Sequence, residues 1–134
     1  MPYKFEKANK VWWPVTFSDA TDGSAEEFEV EFLVQKLSRD EQREWTAEDL
    51  ALADAKGEDR LSMLKDVLGP ERAAKREKQV LSKIHGWRGI VVDDEGKELE
   101  FSQKHLKALW QNIPLGNAME RAIREVAQGG AAKN

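Results

Sequence analysis

The sequence predicts an α+β fold that is mainly helical, and three observations carry that expectation. Two early stretches, Val11 to Phe17 and Glu27 to Val34, alternate apolar and polar residues with period two, as half-buried strands do. Two serines stand where helices start: Ser38 with Glu41 three residues on, and Ser102 ahead of Leu106, Leu109, Trp110 and Ile113. Gly57, Gly69-Pro70, Gly86 and Pro114 then divide the helical patterns into pieces of ordinary length.

The first element is an N-terminal β-hairpin over about 11–34. Val11, Trp13, Val15 and Phe17 share one face of its first strand, and Pro14, which has no N–H, places that strand on a sheet edge. Residues 19–24, DATDGS, are turn chemistry. In the second strand Phe28, Val30, Phe32 and Val34 alternate with Glu27, Glu29 and Glu31. Ser38-Arg39-Asp40-Glu41 matches a capping box and opens a helix over 38–56; Thr46-Ala47-Glu48-Asp49 repeats the signature and marks a second start near Trp45. Leu61, Leu64 and Leu68 form the stripe of a short helix over 58–68. A further helix runs from Pro70 to His85, with apolar residues gathered at its end in Val80, Leu81 and Ile84.

The C-terminal block then reads as hairpin, helix, break, helix. Ile90 to Val92 and Lys97 to Phe101 flank the turn Asp93-Asp94-Glu95-Gly96, which predicts a short hairpin over 89–101. Ser102 caps a helix over 102–113. Pro114 ends or restarts it, and Leu115, Ala118, Met119, Ala122, Ile123 and Val126 line a last helix over 115–128, stopped at Gly129-Gly130. The 134 residues are expected to form a single domain, with 1–10 and 129–134 as flexible tails.

Charged residues make up 34% of the chain and the net charge is -4, so the balance points away from nucleic acid. The charge is unevenly spread. Residues 38–60 hold four basic against eight acidic side chains, whereas 70–84 hold Arg72, Lys75, Arg76, Lys78 and Lys83 against Glu71 and Glu77. The acidic segment is therefore a natural dock for the basic helix. There is no cysteine, which excludes disulfides and thiolate metal sites. The opening MPYKFEKANK has no apolar region, so neither secretion nor membrane insertion is expected.

Each polar cluster has a structural reading. A calcium loop would need a side-chain oxygen at Ala20. His85 and His105, the two histidines, fall at helix ends with no paired ligand spacing, and Asp93 to Glu95 sit in a turn that selects such residues for backbone reasons. No nucleophile, phosphate-cradling loop or metal set emerges, so an enzyme is not expected, and no catalytic, metal or cofactor site is assigned. The remaining peculiarity is five tryptophans. Trp12 and Trp13 are adjacent in an alternating strand and must point to opposite faces, so one of them is either covered by helices or open to a partner.

The order of motifs supports a family comparison. Gly86-Trp87, the turn Asp93–Gly96, the helix start Phe101-Ser102, the Pro114 break and a terminal helix ending near Gly129-Gly130 and Lys133-Asn134 follow one another as in tail assembly chaperones of long-tailed phages and prophages, which this sequence resembles. The alternating hairpin leading into FEVEFLVQKLSRDE is also similar to that family's opening strands and first helix. The resemblance covers about 11–44 and 84–134, and 45–83 carries none. It implies a non-enzymatic protein of the host bacterial cytoplasm, absent from the mature virion. Such a protein binds the tape measure protein and recruits tail tube subunits; in many relatives a programmed frameshift adds a longer form. Residues that compete for a small core are the candidate partner groove: Trp12, Trp13, Trp87, Trp110, Leu115 and Met119. Self-association is a further candidate interaction. Two other functions fit the residues: a minor tail or head-tail component retained in the virion, and a small DNA-binding regulator using the basic helix.

Overall fold

Asp22 and Gly23 both adopt left-handed backbone conformations, with φ of 43° and 83°, and they close a two-residue hairpin turn between strands β1 (Lys10–Thr21) and β2 (Ser24–Gln35). Glycine takes such a φ without steric cost, and this kind of turn matches the twist of the strands it joins. The computed structural model describes residues 1–5, 9–54 and 69–129. After β2 come helices α1 (Arg39–Asp54) and α2 (Pro70–Lys83), strand β3 (Ile84–Arg88), and helices α3 (Gln103–Gln111) and α4 (Ile113–Ala127). The fold is α+β with helices predominating.

The chain forms two compact units, Met1–Lys36 with Val80–Asn134, and Leu37–Gln79. In the first, the sheet is antiparallel with order β1-β2-β3, so β1 is an edge strand, as Pro14 requires. Cross-strand partners share a face. Trp13 pairs with Phe32, which pairs in turn with Trp87; Val15 pairs with Val30. This face carries α4, which packs on β1 and β2, and α3 packs on α4. Val15, Val30, Phe32, Val34, Ile84, Leu106, Met119 and Ile123 are buried between them. Each such large side chain contributes roughly 1.5–3 kcal/mol on leaving water.

The helices begin where their caps stand. In the second unit Ser38 and Glu41 bond reciprocally, Ser38 N–H donating to Glu41 Oε1 at 2.9 Å and Glu41 N–H to Ser38 Oγ at 3.1 Å. Helix α1 then continues without a break through Trp45, because Thr46 is an interior helical residue and not a second cap. In the first unit Ser102 Oγ accepts from His105 N–H at 3.1 Å. Asn112 closes α3 with its own N–H, and its Oδ1 accepts from Leu115 N–H at 3.1 Å to open α4. Pro114 thus sits in the first turn of α4, where its missing N–H has no intrahelical partner to lose.

The structure departs from the expected elements between residues 84 and 101. Helix α2 ends at Lys83, not at His85, and Ile84–Arg88 forms a strand paired with β2. The register shifts between Leu33 and Val34, which leaves His85 as the extra residue of a β-bulge. The hairpin expected over 89–101 reduces to one isolated bridge, Val91 with Glu98, plus backbone bonds from Val92 N–H to Lys97 and from Leu99 N–H to Ile90. The apolar residues expected to build that hairpin are used elsewhere: Val91 and Val92 are exposed, while Phe101 meets the Trp87 ring edge-on at 4.8 Å. The helix expected over 58–68 lies outside the described residues, as do 6–8 of the N-terminal tail and 130–134 of the C-terminal tail. No helix among the described residues is long and apolar enough to cross a membrane.

Candidate functional site

The six candidate groove residues all belong to the first unit, and the sheet separates them. Trp13 lies on the core face, half-buried, and its Nε1–H donates to Glu125 Oε1 of α4 at 2.8 Å. Trp87 is buried on the same face and donates from Nε1–H to the Leu99 carbonyl at 2.7 Å. Met119 is wholly buried in α4. Trp87 and Met119 therefore belong to the core and present no side-chain surface to a partner in this fold. Trp110 and Leu115 are half-buried at the corner between α3 and α4, where Ile113 is 73% exposed. Gly116 makes that corner possible, since a Cβ there would stand 2.9 Å from the Trp110 carbonyl oxygen and 3.2 Å from ring atom Cε3.

Trp12 takes the opposite face of the sheet, as the alternation demands. It lies across central strand β2, and its ring tip fills the space above Gly86, 3.3 Å from where a Cβ would be. The Arg88 guanidinium stacks on the Trp12 ring at 3.7 Å from its centroid, and reaches Glu31 at 4.0 Å. Four of the six positions thus keep exposed surface: Trp110, Leu115 and the partly covered Trp12 and Trp13.

Sequence reasoning missed Arg88 and Glu125, which hold the two adjacent tryptophans. The Glu125–Trp13 bond spans 112 residues of chain, so no local pattern carries it. Arg121, one turn before Glu125, lies 3.9 Å from it and donates from Nη2 to the Thr16 carbonyl on the edge of β1.

The polar clusters keep structural roles. His105 donates its backbone N–H to the Ser102 Oγ cap, and its Nδ1 contacts the Glu100 carbonyl at 2.7 Å. His85 Nε2 meets Gln35 Oε1 at 2.8 Å; burial, aided by Lys10 and Lys83, holds its pKa below the ordinary histidine value. Asp93 Oδ1 accepts from Glu95 N–H at 3.1 Å and Lys97 N–H at 3.0 Å, which is the turn role. No group of three or more metal-ligating side chains occurs among the described residues.

In the second unit the acidic and basic segments do meet. Glu48 accepts from Arg72 and Arg76, each at 2.5 Å, and Glu44 from Lys75. The Lys75 ammonium holds the Glu44 carboxyl below its ordinary range. Arg76 also stacks over Trp45 at 4.2 Å, and Trp45 Nε1–H donates to Gln79 Oε1 at 3.0 Å. Arg72, Lys75 and Arg76 are thereby engaged with carboxylates. Comparison with protein-family models, with curated proteins and with solved structures finds no match.

Proposed function

We propose that this chain is a phage tail assembly chaperone, acting by protein binding without catalysis. It binds the tape measure protein and recruits tail tube subunits in the host cytoplasm. The order of motifs over 11–44 and 84–134 supports the reading. A tape measure protein exposes long apolar helices before the tube encloses it, so its escort needs accessible apolar residues on a charged body. The observation that carries the reading is the α3–α4 corner, where Trp110 and Leu115 stay half-buried and Ile113 stands out in solvent, within the segment that bears the resemblance. Ion pairing of Arg72, Lys75 and Arg76 with α1 weighs against the DNA-binding alternative.

Co-purification of the neighbouring tape measure and tube proteins by tagged wild-type chain is the test. The wild type is expected to retain both, and Leu115→Ala together with Ile113→Ala should weaken retention about tenfold or more, as truncation of anchor residues does. Failure of the wild type to retain either protein would reject the function, and full retention by the folded variant would reject the corner as its site. The chain's presence in purified virions by mass spectrometry would favour a retained tail component instead.

A further inference from the structure

The two long edges of the hairpin are treated differently by the fold. Thr16 C=O accepts from Arg121, so it points away from β2. Backbone groups in an antiparallel pair alternate direction with period two, so Pro14 and Ser18 also face outward. On the β1 edge, then, Pro14 removes a donor, Arg121 occupies an acceptor, and α4 packs alongside. Proline and charged side chains are the devices by which sheets discourage strand pairing, and the β1 edge carries both.

The same alternation fixes the other edge. Thr16 pairs with Glu29, Ser18 with Glu27 and Ala20 with Ala25, so the N–H and C=O groups of Ala25, Glu27 and Glu29 point away from β1, toward the line of β3. Strand β3 reaches only to Glu31, its pairing ending with Arg88. Gly89, with φ +91°, still lies beside β2: a Cβ there would stand 3.3 Å from the Glu29 carbonyl oxygen, and its N–H, which by the same alternation faces away from β2, is taken by Glu98 Oε1 at 3.1 Å. Among the described residues no backbone bond reaches this stretch from that side, and residues 22–29 are all exposed.

We infer that the β2 edge at Ala25 and Glu27, up to where Gly89 meets Glu29, accepts an extended segment of a partner protein, in which Lys or Arg alternates with apolar residues, as an added strand in line with β3. The chemistry of the occupant follows from the two faces. Glu27 and Glu29 share one face, without a basic cross-strand partner on β1, so residues opposite them must be cationic. Phe28, 37% exposed and touching Phe17 at 5.8 Å between ring centroids, stands on the other face, where the occupant's apolar residues would lie. A second copy of this chain is disfavoured at the same edge, because antiparallel self-pairing sets glutamates beside glutamates. The inference stands on strand geometry and is independent of tail assembly.

The test uses the full chain and two synthetic peptides of about eight residues, a usual strand length, one alternating lysine with valine and the other glutamate with valine. Titration followed by fluorescence anisotropy and by backbone amide NMR is expected to show the lysine peptide binding at least about tenfold tighter, more weakly as salt rises. Slowed hydrogen exchange should appear at Ala25 and Glu27. Glu27→Lys with Glu29→Lys should invert the preference, and Glu27→Pro, which removes one outward donor while leaving the β1 ladder intact, should weaken binding of the lysine peptide with circular dichroism unchanged. Equal affinity for the two peptides, no binding, or protection confined to other residues would overturn the proposal.

Discussion

At Gly116 the backbone of one helix and the ring of the preceding one come so close that only hydrogen fits on the α-carbon. Gly116→Ala adds the better helix former, worth about 1 kcal/mol in a helix interior, yet it sets a methyl against the Trp110 carbonyl, which cannot rotate away. The clash wins. We expect a net loss of about 1–3 kcal/mol, seen as a lower urea midpoint with altered near-ultraviolet dichroism from Trp110; a midpoint equal to or above wild type would show that the corner has room. Among single residues, the opposite pointing of Trp12 and Trp13 is legible from alternation alone. The burial of Met119 and Trp87 is not: periodicity identifies an apolar stripe but does not say which of its members the sheet covers, and both were needed by the core.

Helix starts are the elements that local sequence specifies best, since a cap is a bond between residues three apart. The Ser38–Glu41 pair is such a case, with both bonds formed. Ser38→Ala should cost about 1 kcal/mol and fray the first turn of α1, measured as faster amide exchange at 40–42; Glu41→Ala on top of it should add less than it does alone, because the two bonds share their geometry. Strict additivity would mean that the box does not act as a unit. Strand β3 shows where local reading stops. Ile84–Arg88 follows a helix directly, has only five residues, and finds its partner at Glu31 to Val34. Gly86 looks like a helix stop in sequence, whereas its lack of a side chain serves Trp12, a neighbour some seventy residues distant in the chain.

At the scale of the whole molecule, two shifted groups make stability depend on acidity in the same direction. His85 titrates below its ordinary 6.5 in the folded chain, so the unfolded chain binds more protons near that pH. Stability is then full above 6.5 and declines as pH falls toward the folded value. Glu44 titrates below its ordinary 4.5, and its contribution is present above 4.5 and lost as pH falls through the folded value. Urea midpoints should therefore drop on acidification in two ranges, and salt separates them. The Glu44–Lys75 pair is exposed and weakened by screening, whereas burial, the main cause at His85, is not. His85→Gln should remove the upper range and leave the lower; persistence of the upper range in that variant would assign it to another group.

The guanidinium of Arg88 over Trp12 also offers an optical consequence. A fixed positive charge against an indole changes the energy of its excited state, and this charge arrives only when β3 has joined the sheet, since Arg88 belongs to β3 and Trp12 to β1. Trp12 is thus a built-in emission gauge of the long-range strand: in a chain with the other four tryptophans replaced by phenylalanine, its wavelength would report, in real time during refolding, the moment at which the sheet acquires its third strand.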